Sequence, residues 1–224
     1  MVLLSEGGGI QRGADMAEAD RKNRELSVFQ AILARRSVRT YEPRTLDITT
    51  VQTLLEAAVR APTAMHEEPW SFVVVQDKSA LKRLSDDAKP LFIERLLHAE
   101  PPTPRVLHTF NHPDFNIFHE AGTLIIIGTK MSGSFVEADC WLAAENLMLA
   151  ACAMGLGSCV VGSSLSALNT PAVKAALGIP AEFKAIAPIV VGVPRGKSAA
   201  TPRKKPQVLS WMFPNVGVRD VHPS

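Results

Sequence analysis

The segment RRSVRTYEP, residues 35–43, packs Arg35, Arg36, Ser37 and Arg39 into five positions. Guanidinium groups and a hydroxyl are suited to holding a phosphate monoester, because the planar fork donates two parallel N–H bonds and the hydroxyl adds a third. In an extended stretch the two-residue period turns Arg35, Ser37 and Arg39 to the same side. A charge run at a helix end is also an ordinary solvated face, favoured by the helix dipole, so the motif alone leaves both readings open. A second basic group, Arg203, Lys204 and Lys205 in PRKKP, either adds charge to the same anion or sits on a surface loop.

Other chemistries find less support. GLGSCVVG at 155–162 lacks both the GxGxxG spacing and the Walker lysine and serine, so its glycines end a helix or let backbone amides approach a flat ligand. His108 and His112 are four apart, but Pro113 argues against a helix presenting both. HEEPW at 66–70 has no second histidine at zinc spacing, so no metal site is expected. No GxSxG elbow occurs. Cys140, Cys152 and Cys159 are odd in number and show no CxxC pairing, which points to buried, reduced thiols and a cytoplasmic location.

The 224-residue chain carries a net charge of only +2, with 46% hydrophobic and 21% charged residues. This balance suits one generous domain with an ample core, and the absence of a broad basic field argues against a nucleic-acid partner. Residues 1–25 are expected to form a mobile tail, in which Met16 is an alternative start, and residues 26–224 the single domain. The longest apolar stretch, 136–161, is interrupted by Glu137, Asp139, Glu145 and Asn146, so it reads as a core or subunit-interface helix and not as a membrane span.

Periodicity predicts helices over 27–35, 49–61, about 78–89 with Ser79 as cap, 136–154, and a stretch begun by Thr170 and Pro171 and ended at Gly178. Buried strands are predicted at 70–77, 123–129, 158–162 and 183–194. The segment 90–118, with AEPPTP and NHPDF, is expected to be irregular apart from a helical piece at 92–98, and to act as a lid. Elements of both kinds without a strict βαβ rhythm give an α+β class, with helices packed on a mixed sheet.

Taken in order, RRSVRTYEP, APTAMHEEPWSFVVVQD, FNIFHEAGTLIIIG, AAENLMLAACAMGLGSCVVG and PRKKP resemble the nitroreductase-like family of FMN-dependent flavoproteins, the NAD(P)H nitroreductase and flavin reductase type. The resemblance spans about residues 26–209. It implies a three-layer α+β fold in an intertwined homodimer, with FMN at the interface and a C-terminal extension. By the same resemblance, Arg35, Arg36, Ser37 and Arg39 contact phosphate and ribityl, while Pro62, Thr63, Ala64 and Met65 lie beside the flavin from the other subunit. Cys159, Val160, Val161 and Gly162 run along the ring and offer an amide near its N5, and Arg203 and Lys205, with Lys204 as the alternative, reach the phosphate. No side-chain acid or base is demanded, so no catalytic residue is assigned.

The implied reaction is ping-pong: NAD(P)H reduces FMN, leaves, and a nitroaromatic or quinone takes its place, with Phe92, Phe110, Phe115 and Phe118 as available lid walls. Two positions depart from the family's common pattern, since His66 and Glu68 stand where asparagine and glutamine often precede Pro-Trp. They lean toward the branch that removes halogen from iodotyrosines, but the only tyrosine is Tyr41, outside the lid. That branch's acid–tyrosine–lysine grip therefore cannot be assembled. A flavin carrier without turnover is the rival of another class.

Overall fold

The computed structural model describes residues 26–99, 102–196, 198–213 and 216–219, so the tail expected over 1–25 and Met16 lie outside the described residues. The helices are α1 (Val28–Ala34), α2 (Ile48–Ala58), α3 (Lys78–Ala99), α4 (Pro104–Asn111), α5 (Val136–Ala153), α6 (Leu165–Leu168) and α7 (Pro171–Ala176). The strands are β1 (Trp70–Val75), β2 (Thr123–Thr129), β3 (Gly157–Val160), β4 (Lys184–Gly192) and the C-terminal pair β5 (Trp211–Phe213) and β6 (Val216–Arg219).

β1, β2, β4 and β3 form one sheet in that order, antiparallel throughout. The parallel component expected of a mixed sheet is a single bridge, Ser37 to Ser158, outside the named strands. β2 and β4 are central and buried on both faces, which is why they read as near-continuous apolar runs. On one face Ile125, Ile127 and Ile189 pack with Leu54 of α2 and Leu147 of α5. On the other, Leu124, Ile126 and Val190 pack with Leu84 and Ala88 of α3, Phe118 and Leu168. These two cores make three layers, each fully buried Leu or Ile contributing about 1.5–3 kcal/mol.

Local signals explain most boundaries. Ser27 and Gln30 form a reciprocal capping box at α1, with N···O distances of 3.3 and 2.8 Å. Thr170 caps α7, Pro171 opens it, and Gly178 follows it at φ 64°. At α3 the structure corrects the expected cap: the Asp77 carboxylate accepts the Ala80 N–H at 2.6 Å and the Ser79 hydroxyl at 2.8 Å, so Ser79 supports the cap and does not form it. α3 also runs on through Pro90 to Ala99. The lid expected as irregular from residue 90 is therefore largely helical, built from the second half of α3 and from α4. Pro90 removes one helical bond, but beyond it Phe92 stacks on Phe110 of α4 at 4.7 Å and Arg95 lies 5.6 Å over the Phe92 ring. Among the described residues no helix is long and apolar enough to cross a membrane.

Candidate functional site

After α1 the chain becomes extended and lies along the free edge of β3. The Val38 N–H donates to the Ser158 carbonyl at 3.0 Å, Glu42 N–H to Val193 at 2.9 Å, and Arg195 N–H to Thr40 at 2.9 Å. Val38 and Tyr41 anchor this segment in the core, and the Tyr41 hydroxyl closes back on the Val38 carbonyl at 2.7 Å. The close approach requires Gly157, because a Cβ there would stand 2.8 Å from Val38 Cβ.

The extended segment brings Arg35, Ser37 and Arg39 around one residue of β3, although Arg35 and Arg39 line different cavities. All three act on the thiol of Cys159 in β3: burial raises its pKa, while Arg39, a hydrogen bond from Ser37, and Arg35 pull it down. Arg35 is loosely tied to Glu145 of α5, at 3.9 Å. Arg36 lies beside Arg35 at the smaller cavity, but its guanidinium is engaged by the helix end. Its Nη1 donates to the Leu33 and Arg35 carbonyls at 2.6 and 2.7 Å, closing the C-terminal end of α1, so its guanidinium serves the helix.

Arg39 stands at the rim of a cleft of about 560 Å³, a volume normal for small-molecule sites. Phe92, Leu96, Phe110 and Phe115 form one wall, and Cys159 to Ser163 form the opposite one. Phe110 and Phe115 pack edge to face with centroids 5.2 Å apart. Phe118, expected as a wall, is fully buried in the core, and Ile117 and His119 line the cleft in its stead. The backbone amide expected from the 159–162 stretch cannot be that of Val161, which donates to the Pro188 carbonyl at 2.8 Å. Gly162 and Ser163, the first residues of a 3₁₀ turn, line the cleft, at a turn start where backbone N–H groups have no partner within the turn. A Cβ on Gly162 would meet nothing within 4 Å, so this backbone is open to a flat ligand.

A smaller cavity of about 270 Å³ adjoins on the other side of the arginine segment, lined by Arg35, Arg36, Ser158, Gly196 and Ser198. Arg203, Lys204 and Lys205 are exposed farther along the strand-free segment that leaves it. Ser198 to Arg203 is five residues, a reach of up to about 17 Å. Pro62, Thr63, Ala64 and Met65 line neither cleft within one chain. Their loop is held by a buried carboxylate, as Asp139 of α5 accepts the Ala64 N–H at 3.3 Å from each oxygen. The loop carries three residues in the left-handed region, Met65, His66 and Glu68 at φ 54°, 58° and 46°. Met65 is 86% exposed at its tip.

His119 is the site residue that periodicity arguments passed over. Its signal was available: Phe115, Ile117 and His119 alternate, and all three face the cleft. Burial, and then the Arg39 guanidinium, pushes its pKa from 6.5 down to about 4. The folded chain therefore holds a neutral ring where the unfolded chain would be protonated. The stability this provides is full above about pH 6.5 and is lost as pH falls toward 4, amounting to about 1–2 kcal/mol for a partly solvated ring. His119→Phe is expected to flatten that limb of the stability–pH curve, measured by urea unfolding at pH values across the window. An unchanged slope would show that the ring titrates normally.

No group of three or more His, Cys, Asp or Glu residues that could hold a metal ion occurs among the described residues. Arginines at two adjoining cavities, an open backbone edge at Gly162 and an aromatic-walled cleft are a lining that a flat anionic molecule would fit. A protein of Archaeoglobus fulgidus, provisionally named NADH dehydrogenase/NAD(P)H nitroreductase, is 28% identical over 172 residues, 75% of this chain and 85% of that one. A nitroreductase of Bacteroides fragilis, solved with bound FMN, superposes with a TM-score of 0.68 at 26% identity, covering 84% of this chain and 98% of that one. An iodotyrosine deiodinase of Drosophila melanogaster is 27% identical over 185 residues, 75% of this chain and 62% of that one. The family model described as Nitroreductase matches residues 32–193, which takes in the arginine segment, the Pro62–Met65 loop and the whole four-stranded sheet, and the chain accordingly belongs to the nitroreductase family.

Proposed function

We propose that the protein is an FMN-dependent oxidoreductase of the cytoplasm that takes electrons from NAD(P)H and passes them to a small aromatic acceptor. The observation that carries this reading is the grouping of Arg35, Ser37 and Arg39 around Cys159 of β3, with Arg39 and Cys159 lining the aromatic-walled cleft and Arg35 the smaller cavity beside it. When bound, FMN supplies reversible two-electron redox chemistry that no side chain of the protein offers. Arg35 and Arg39 hold the phosphate through charge-assisted bonds, and Ser37 adds a hydroxyl. Gly162 and Ser163 present N–H donors to the edge of the ring, where added negative charge is stabilised. Arg203, Lys204 and Lys205 supply further positive charge from the C-terminal segment. The three cysteines are unpaired, as a reducing compartment requires.

We assign the Pro62–Met65 loop to the neighbouring subunit's cofactor, within a homodimer. Supporting this are the loop's exposure, its absence from the two cavities beside the arginine segment, and the exposed apolar residues Val28, Phe29 and Leu33 of α1 with Trp141 and Leu142 of α5. The acceptor sits between the Phe92–Phe110–Phe115 wall and the Val160–Ser163 edge. No carboxylate lines that cleft among the described residues, so nothing there pairs with an ammonium group. That favours neutral acceptors, nitroaromatics or quinones, over the zwitterionic substrate of an iodotyrosine deiodinase.

The test is the visible spectrum of protein reconstituted with FMN and desalted, followed anaerobically on addition of NADPH and then NADH. Retained flavin that bleaches within seconds supports the oxidoreductase. Retained flavin that stays yellow with both donors makes the protein a carrier, and no retained flavin overturns the site.

A further inference from the structure

The aromatic wall of the cleft is a connected series of rings. Phe92 lies 4.7 Å from Phe110, Phe110 5.2 Å from Phe115, and Phe115 6.3 Å from His119, the last two pairs edge to face. The series thus ends in a ring that carries hydrogen-bonding atoms. Elsewhere on this wall Leu96, Val106 and Ile117 are apolar, and the Thr109 hydroxyl is spent on the Arg105 carbonyl at 2.9 Å. Neither ring nitrogen of His119 has a hydrogen-bond partner among the described residues. Held neutral by burial and by Arg39, the ring offers one N–H donor and one bare nitrogen.

The backbone that carries this ring is pinned at successive residues. Lys89 of α3 donates to the Phe115 carbonyl at 2.9 Å, and the Ser85 hydroxyl accepts the Ile117 N–H at 3.1 Å. The Asn116 side-chain oxygen accepts the Phe118 N–H at 2.8 Å, and its main-chain oxygen the His119 N–H at 3.0 Å. His119 and Glu120 hold left-handed backbones, at φ 55° and 58°, which persist only where the surroundings enforce them. A polar group fixed at one end of an otherwise apolar wall is the arrangement by which small-molecule sites set the orientation of their occupants.

We propose that His119 is the specificity-determining residue of the cleft: its imidazole N–H donates to an oxygen carried by the flat acceptor, and so selects oxygen-bearing aromatics over hydrocarbons of similar outline. This deepens the reading of the cleft as the acceptor's seat and rests on it. A nitro or carbonyl oxygen gains the bond. A bare hydrocarbon displaces water from the N–H and leaves it unpaired, and that asymmetry, more than the strength of the bond itself, is what discriminates.

The probes are nitrobenzene and toluene, titrated into the oxidised, FMN-reconstituted full chain without nicotinamide and followed by the ring proton resonances of Phe110 and Phe115. Ligands of this size are expected to bind with Kd on the order of millimolar. The quantity read is the ratio of the two affinities, which cancels any general loosening of the cleft. His119→Phe keeps a ring against Phe115 and removes the donor, and should shrink the preference for nitrobenzene about fivefold or more while toluene still binds. His119→Gln restores a neutral N–H donor and should bring the ratio back to within about twofold of the parent. A ratio unchanged in His119→Phe, or not restored in His119→Gln, overturns the assignment of His119 and leaves the cleft as the acceptor's seat. Loss of flavin from His119→Phe on desalting overturns it too, by placing the ring on the cofactor. Binding of neither probe to the parent overturns the seat itself, and the assignment with it.

Discussion

Replacing Arg35 by alanine is expected to strip FMN from the protein during desalting. The guanidinium acts on Cys159 together with Ser37 and Arg39, lines the smaller cavity beside β3, and makes only a long ion pair with Glu145, at 3.9 Å, among the described residues. Losing its bonds to a phosphate should cost about 2–4 kcal/mol, or roughly 30- to 1,000-fold in Kd. Arg36→Ala is the internal comparison. Its side chain closes the last turn of α1 on the Leu33 and Arg35 carbonyls, so the change should lower stability by about 1 kcal/mol and move flavin affinity no more than about threefold. Quenching of flavin fluorescence on titration into each apoprotein measures both. The reverse order, with Arg36→Ala losing the flavin and Arg35→Ala keeping it, would mean that the extended segment presents its other face.

Gly128→Ala is expected to be the most damaging single change to the fold. Gly128 lies in β2 at the point where its register with β4 shifts. A Cβ there would stand 2.2 Å from the Lys184 carbonyl oxygen and 2.5 Å from the Phe183 ring. The ring could turn, but the carbonyl belongs to the partner strand and can retreat only by breaking the ladder. A loss of about 3 kcal/mol or more follows, equivalent to roughly 10 °C in Tm for a domain of this size. Scanning calorimetry of the variant tests it, and a Tm within about 2 °C of the parent would show that β4 yields without cost.

What could be read in advance was whatever depends on neighbours in the chain. β2 and β4 are apolar runs because both their faces are covered, and α7 carries its start and stop signals within nine residues. The alternation of Arg35, Ser37 and Arg39 needed only an extended backbone, which the Val38 bond to Ser158 along β3 supplies. Arg36 could not be assigned this way, because its partners are carbonyls made available by where α1 happens to stop. Pro90 misled for a related reason: the local cost of a proline in a helix is real, but aromatic packing of Phe92 against Phe110, eighteen residues away, outweighs it. His119 was missed although Phe115, Ile117 and His119 alternate, because a segment carrying NHPDF reads as irregular and its alternation goes unexamined. The Pro62–Met65 loop remains the least legible part, since its three left-handed residues and its anchor on Asp139, seventy-five positions away, have no local signal.

Pro90 divides α3 mechanically. Before it, Leu81, Leu84, Ser85 and Ala88 are buried against the sheet, and Lys89 is tied to the Phe115 carbonyl at 2.9 Å. After it, Phe92 and Leu96 face the cleft and the helix is no longer sunk in the core. One end is thus clamped and the other is a lever whose pivot lacks a backbone bond. Leu96 lies six residues beyond Pro90, about 9 Å along the axis, so a bend of some 10° there sweeps its side chain by about 1.5 Å. The width of the aperture through which a flat molecule enters and leaves is set by that angle, with no loop needing to unfold.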